Sequence, residues 1–497
     1  MKKFPCLLYS AAAVRELEQL AINECGISGY DLMNRAGAAV LAVVKEKYPQ
    51  AKRMLVCCGA GNNGGDGYVV ARLAQRAGYA VDVVSLVETE KLAGDARRAC
   101  LDWCSLGLGL IDAEHLKDVD VVVDALFGTG LQREVTGVWR SMIEAINASG
   151  VPVVAVDIPS GLSADTGTVM GVAVHADVTV TFIGLKQGLF THQAADYCGE
   201  IVFEDLSVPA FLYQRVPAQA RLLCHGEIKQ VLKPRQRDSH KNQHGHVLVI
   251  GGDVGMAGAA RLAAEAALRA GAGLVSVVTR PEHVAAMVSA RPELMVWGSA
   301  DGVVPQDLLH RADVIAVGPG LGQDDWGRQL LSQVLACRQA KVVDADALKL
   351  LTRDDGPRAD WILTPHPGEA AHLLGVSTAD VQVDRCLAAR HIQQHYGGVV
   401  VLKGAGSLVR SAADESCAVC PHGNPGMAVA GMGDVLTGVI AALAAQGCSL
   451  KSAAELGVLI HALAGDRAAT AGERGLLASD LFACIRTLVN GGADDPV

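Results

Sequence analysis

The residues of this chain best suited to do chemistry lie together near its C-terminal end. Asn424, Pro425, Gly426, Met427, Ala428, Val429, Ala430, Gly431, Met432, Gly433 and Asp434 run into an apolar, alanine-rich segment from Val435 to Ala445. The glycines bare the backbone ahead of a helix predicted to begin after Asp434, so peptide N–H groups and the positive end of the helix dipole can face an anion. That suits a phosphate. A carboxylate there would repel the ligand unless its work is to take the proton from a hydroxyl that attacks phosphorus. A glycine-rich turn with Asp434 as an ordinary helix cap satisfies the same letters, so the stretch needs support from the rest of the chain.

A second set of polar residues occupies comparable places in the first half. Gly59-Ala60-Gly61-Asn62-Asn63-Gly64-Gly65-Asp66-Gly67 follows an apolar run, Arg53 to Cys58, and precedes a helical pattern reaching Gly78. Strand, glycine loop and helix in that order make a nucleotide-binding turn. Gly59, Gly61 and Gly64 match the dinucleotide fingerprint spacing, yet Asp66 stands where a pyrophosphate would meet the helix, and Asn62-Asn63 put carboxamides in its path. The loop is expected to grip a ligand through side chains as well as backbone. Asp124, the run Gly128, Thr129, Gly130, Leu131, Gln132, Arg133 and Glu134, and Asp157-Ile158-Pro159-Ser160-Gly161 follow further apolar runs. Asp124, Asp157, Asn63 and Ser160 form an all-oxygen set suited to a hard monovalent or divalent cation; alternatively one carboxylate serves as a proton-transfer base.

The framework that must position these groups is legible as alternation. At 497 residues, half of them apolar and 4% aromatic, the chain exceeds one core and fits two α/β domains. Strands are predicted at Arg53–Cys58, Ala80–Val87, Val119–Leu126, Val151–Val156, Val178–Ile183 and Ile201–Glu204, after helices at Ala11–Glu24 and Tyr30–Tyr48. That order gives a doubly wound sheet with ligands beyond the carboxyl ends of its strands. Pro209 to Lys241, broken by prolines, reads as a boundary, and a second α/β unit follows. It opens with the strand pattern His246–Ile250 and the small-residue helix from Gly255 to Gly271, which admits either a ligand or a close helix partner. Later runs end in Gly318-Pro319-Gly320-Leu321-Gly322, Asp344-Ala345-Asp346, Thr364-Pro365-His366-Pro367-Gly368-Glu369 and Lys403-Gly404-Ala405-Gly406-Ser407. With Val275–Thr279, five polar or glycine strand ends on one sheet edge exceed what turn chemistry explains. His366 between prolines suits a rigid ligand contact, and Lys403 suits a phosphate.

A formal charge of −10 without a basic run argues against nucleic acid as a partner. The 14 scattered cysteines read as reduced core residues of a cytoplasmic protein, not a disulfide frame or zinc site. The start of the chain imitates a signal peptide, but its apolar part is short and broken by Pro5. No run is long enough for a membrane span. A homo-oligomer is expected, although no interface is diagnostic.

Asn62 to Asp66, Gly128 to Glu134 and Asp157 to Ser160 together resemble the epimerase domain of the NAD(P)H-hydrate repair enzymes, over roughly residues 10–217. The resemblance implies interconversion of the R and S epimers of hydrated NADH and NADPH, which carry a hydroxyl at C6 of the nicotinamide ring. It assigns Asn62, Asn63, Gly64, Gly65, Asp66, the run Gly128–Glu134 and Asp157 to the ligand, with Asp157 as base. It assigns Asn63, Asp124 and Ser160 to potassium.

Lys403–Gly406 with Asn424–Asp434 resemble the ribokinase type of small-molecule kinase; the ordinary P-loop motif is absent. With Gly251–Gly258, Gly318–Gly322 and Thr364–Glu369 the closer likeness is to the dehydratase domain of the same repair enzymes, over roughly 222–492. The expectation is thus an α/β protein: a Rossmann-like, doubly wound three-layer epimerase domain at 1–217 and a ribokinase-like α/β dehydratase domain at 222–497. The likeness implies that ADP phosphorylates the S epimer's hydroxyl, a better leaving group than hydroxide, giving AMP, phosphate and NAD(P)H. Asp434 is the implied base. Lys403, Gly404, Ala405, Gly406, Ser407 and Asn424–Gly433 would hold the nucleotide; Ala257, Gly320, His366 and Asp434 would hold the hydrate. Magnesium is expected on the transferred phosphate by the general logic of phosphoryl transfer. The competing readings are a vitamin or sugar kinase fused to a sensor domain, and a binding protein whose first domain is an interaction module.

Overall fold

The computed structural model describes residues 5–110, 118–412 and 416–491. The chain forms two compact units, residues 1–221 and 222–497, divided between Arg221 and Leu222. Residues 1–4 of the signal-like start, and the end of the second domain from 492 on, lie outside the described residues.

In the first unit six parallel strands stand in the order Ala80–Ser85, Arg53–Cys58, Val121–Ala125, Val153–Val156, Val178–Phe182, Glu200–Glu204. Valine dominates them, as a sheet buried on both faces requires. The sequence order reverses between Arg53–Cys58 and Val121–Ala125, so the loops leaving those two strands diverge and open a crevice. Gly59 is needed there: a β-carbon on it would lie 1.8 Å from the Leu126 carbonyl oxygen. The N-terminal helix runs Ala11–Cys25, capped by the Ser10 hydroxyl, which accepts from the Ala13 amide.

The second unit has seven parallel strands, Met295–Gly298, Leu274–Thr279, His246–Ile250, Val314–Val317, Ala340–Val343, Arg358–Leu363 and Gly397–Leu402. Antiparallel Ser407–Ser411 and Cys417–Cys420 extend them. The helices Ala257–Arg269, Met432–Ala445, Leu450–Ala468 and Leu481–Leu488 contribute to one continuous apolar core. A β-carbon on Gly438 would come 2.0 Å from the Ala263 carbonyl oxygen. The alanines of Ala257–Arg269 therefore serve a close helix crossing as well as any ligand at its start.

No helix among the described residues is long and apolar enough to cross a membrane. No disulfide is formed among the described residues. Burial raises the thiols of Cys57 and Cys58 in the first unit and lifts Cys420 in the second to about 12.

Candidate active sites

The crevice of the first unit is a cavity of about 980 Å³. Asn62, Asn63, Asp66, every residue from Gly128 to Glu134, and Asp157 line it; Gly64 and Gly65 do not, being packed behind the helix start. The helix begins at Asn62, inside the stretch Gly59–Gly67 that the sequence reads as loop, so Asp66 sits in its second turn. A β-carbon on Gly64 would lie 2.0 Å from the Gly59 carbonyl oxygen, which fixes glycine at that point of the turn.

Asp157 has φ +68°, left-handed for a residue with a side chain. Such strain is retained where the surroundings over-determine it, commonly at a working site. Its Oδ1 accepts from the fully buried Lys186 ammonium and from the Phe182 amide at 3.2 Å. Lys186 also donates to Thr181 Oγ1 and the Phe182 carbonyl, each at 3.0 Å, so all three of its protons are engaged. Burial, then the negative charges of Asp157 and Glu18, holds the Asp66 carboxyl well above the usual range. One cavity thus presents an ion-paired carboxylate and a second carboxyl raised by burial. Sequence reasoning missed Lys186 and Glu18; a lysine between Leu185 and Gln187 in an otherwise apolar stretch was the available signal for the first.

Behind this pair, Asp124 is fully buried and its carboxyl is pushed up to about 6 by that burial, against the pull of the Ser160 hydroxyl and amide. Ser160 Oγ donates to Asp124 Oδ1 at 2.6 Å and its amide to Oδ2 at 2.7 Å. Asn63 is 7% exposed, yet neither its carboxamide oxygen nor its nitrogen has a partner. Asn63 lies against Gly128 and Ser160 Oγ accepts from the neighbouring Phe127 amide at 2.8 Å, so the orphaned amide, the hydroxyl and the Asp124 carboxyl gather at one loop, an oxygen-rich place that suits a monovalent cation. No group of three or more His, Cys, Asp or Glu side chains able to hold a metal occurs among the described residues.

In the second unit the helix expected after Asp434 starts at Met432, so Asp434 lies in its first turn and is not its cap. Gly431, at φ +90°, takes the cap position, and no side chain caps the helix. The N–H groups of that turn are therefore open to an anion. The Asp434 carboxyl is pushed up to about 7, chiefly by burial and then by the charge of Asp344, with Lys403 pulling the other way. Asp346 and Glu369 add to the rise.

Lys403 is not the free point charge its loop suggested: it bonds Asp344 Oδ1 at 2.7 Å and lies 3.7 Å from Glu369 Oε2. Thr437, one turn beyond Asp434, donates to Asp344 Oδ2 at 2.7 Å. A β-carbon on Gly433 would come 3.3 Å from the Lys403 ammonium and 3.7 Å from Asp344 Oδ2, so bare backbone covers this ion pair. Gly404 and Gly406, both at positive φ, turn the Lys403–Ser407 loop. Buried Arg385 holds it through the Ala405 carbonyl and, at 3.1 Å, the Lys403 carbonyl.

Asn424 anchors the other side. Its Oδ1 accepts from the Gly426 amide at 3.0 Å, and its Nδ2 donates to Asp466 at 2.9 Å. His366 Nδ1 caps the helix Pro367–Leu374, accepting from Gly368 N at 2.9 Å, while its side chain stays half-exposed. A β-carbon on Gly320 would lie 2.8 Å from Met256, next to Ala257 at the start of its helix. Asp344 was read as a strand end without its partner; Thr437 and Arg385 are functional neighbours that the sequence reading did not single out.

Fold and sites together define a two-unit α/β enzyme, one unit built for proton transfer and the other for phosphoryl transfer. Residues 247–487 match the NAD(P)H-hydrate dehydratase family, and residues 29–188 match the YjeF-related protein N-terminus family. A bifunctional NAD(P)H-hydrate repair enzyme of Coxiella burnetii is 50% identical over 97% of this chain and 99% of its own length. Its Escherichia coli counterpart is 44% identical over 99% and 95%. A solved ribokinase-like protein from Enterococcus faecalis is 29% identical with a TM-score of 0.51, over 55% of this chain and 96% of its own. The ADP/ATP-dependent NAD(P)H-hydrate dehydratase of Bacillus subtilis, co-crystallised with ATP and Mg2+, gives 28% and 0.50, over 54% and 98%. The chain belongs to the family of bifunctional NAD(P)H-hydrate repair enzymes.

Proposed function

We propose that the first unit interconverts the R and S epimers of hydrated NADH and NADPH and that the second dehydrates the S epimer with ADP as phosphoryl donor. The observation that carries the reading is Asp434: a carboxyl titrating near 7, in the first turn of an uncapped helix, among Asp344, Glu369 and Lys403. A base matched to neutral pH beside open amides is what phosphorylation of an alcohol requires.

In the second unit Asp434 takes the C6 hydroxyl proton as that oxygen attacks the donor's terminal phosphorus. The amides of Met432 and Gly433 face the phosphoryl oxygens. Phosphate then departs with the C6–O electrons while a proton leaves C5, which restores the ring double bond. The Lys403–Ser407 loop and Asn424–Gly433 hold the nucleotide, and Ala257, Gly320 and His366 hold the hydrate. Magnesium would supply charge neutralisation at the transferred phosphate.

In the first unit Asp157, ion-paired with Lys186, acts as the base of R/S interconversion, and Asp66, whose carboxyl burial raises well above the usual range, supplies the returning proton. The run Gly128–Glu134 with Asn62 holds the hydrate. Potassium bound by Asn63, Asp124 and Ser160 would supply positive charge behind the loop. The same reading places the enzyme in the cytoplasm, with small molecules as its partners, no nucleic acid, and a homo-oligomeric state that light scattering can measure.

The test supplies ADP, Mg2+ and mixed R and S hydrates to the full chain. Full conversion to NAD(P)H with stoichiometric phosphate and AMP supports the reading. A stable phosphorylated product without recovered nicotinamide absorbance would instead identify a kinase. Residual R hydrate would remove the epimerase assignment, and a run with ATP settles donor choice.

A further inference from the structure

His461 is a buried titratable residue that neither reaction uses. It stands on the helix Leu450–Ala468, which packs closely on Met432–Ala445: a β-carbon on Gly457, one turn earlier, would lie 2.5 Å from Ile440 Cγ1. The same helix holds the start of the phosphate loop, where Asp466 accepts from the Gly423 amide at 3.0 Å and from Asn424 Nδ2 at 2.9 Å. His461 holds the other end, through a hydrogen bond to the Met432 backbone.

The ring is 9% exposed and its Nε2 has no partner, so Nδ1 makes that bond. Burial pushes the imidazole down to about 4; the bond to Met432 pulls it up, and the charge of Lys403 adds to the fall. A bond that raises the pKa is one the ring donates, so its acceptor is the Met432 carbonyl oxygen. The ring is therefore neutral at pH 7, with its one proton on Nδ1 and a bare lone pair on Nε2.

The Met432 carbonyl and the Gly433 N–H belong to one trans peptide plane and point opposite ways. Fixing the oxygen aims the N–H. Gly433 is where that aim matters, since a β-carbon on it would come 3.3 Å from the Lys403 ammonium. This helix start is also weak by itself. Gly431 caps it without a side chain, and its first helical bond, from the Val435 amide to the Gly431 carbonyl at 3.0 Å, leaves the amides of Met432, Gly433 and Asp434 without helical partners. Gly433 is in addition a poor helix former. A donor on the carbonyl polarises the peptide unit, which makes its N–H the stronger donor to an anion.

On the transfer reading of the second unit, we propose that His461 is a positioning residue for phosphoryl transfer, its Nδ1–H holding the Met432 carbonyl so that the Gly433 N–H points at the transferred phosphoryl group.

The full chain and its H461L and H461N variants are compared in kcat and in KM for ADP. H461L keeps bulk and loses the donor; kcat should fall about thirtyfold, short of the hundredfold or more that removal of an oxyanion donor costs, with KM for ADP within about twofold. H461N places an amide N–H where Nδ1–H stood and should recover all but about threefold. A loss confined to KM overturns the proposal, as do equal losses in the two variants or a wild-type kcat in H461L. Should H461L fail to fold, nitrogen NMR of the wild-type chain with isotope-labelled histidine decides: a His461 ring protonated on Nδ1 supports the bond, and one protonated on Nε2 overturns it. A wild-type chain without turnover on ADP or ATP would remove the transfer reading and this role with it, whereas wild-type turnover matched by H461L removes the role of His461 alone.

Discussion

The two sites solve the same difficulty, a carboxyl group that must be in the right protonation state at neutral pH, in opposite ways. In the first unit a buried lysine is ion-paired with Asp157 while burial and neighbouring charge hold the Asp66 carboxyl well above the usual range, so the two roles are divided between two residues. In the second a single residue, Asp434, is brought to about 7 and carries both states in turn. The difference follows from the chemistry. Epimerisation returns the proton it removes and gains from an acid and a base in place together, whereas phosphoryl transfer needs one base beside a heavily charged donor.

Replacing Asp434 by Asn tests this contrast most severely. Dehydration should fall by about a thousandfold, within the range for loss of a positioned base, while R/S interconversion is unchanged. Loss of both activities in a folded variant would break the division between units. Lys186→Met should lower epimerisation by about a hundredfold, because the Asp157 carboxylate loses the ammonium that holds it in place; an unaltered rate sinks the role of the pair. Next comes pH. The Asp434 carboxyl is a base only when ionised, so dehydration should rise with pH through about 7, and a flat profile from pH 5 to 8 under conditions where chemistry limits would count against it.

The same shift has a stability consequence with a definite sign. A carboxyl whose pKa is higher folded than unfolded makes the fold less stable as pH rises from about 4 through about 7. D434N should therefore melt above the wild type at pH 8 and close to it at pH 4, by calorimetry without ligand. The smallest effect is expected from Asn63→Ala. It should weaken potassium activation of the epimerase by about tenfold in concentration and leave the dehydratase alone; potassium independence of the wild-type enzyme would remove the cation from the account.

What could be read in the letters were features written locally. Val314–Val317 is four apolar residues followed by Gly-Pro-Gly, and a strand with its ligand-facing turn follows from that alone. The helix start at Met432 was misplaced because the sequence offers Asp434, a good capping residue, while the backbone uses Gly431 in a left-handed conformation. Lys186 escaped notice because its meaning is tertiary: its partner Asp157 lies 29 positions earlier, on another strand end. Asp344 was visible as a strand end, but only the sheet brings Lys403, 59 positions away, onto it. The strand Met295–Gly298 went unread although Leu294–Trp297 is an apolar run as long as Val314–Val317; it is only half-buried.

The deeply buried thiols offer a practical handle on the two units. Alkylating reagents attack the thiolate, and Cys57 and Cys58 under the first site and Cys420 in the second unit are both inaccessible and held protonated. Each can be labelled only when its own strand opens. Mass-resolved labelling over time would therefore clock the breathing of the two halves separately in one sample, and ligands for either half would slow only their own clock.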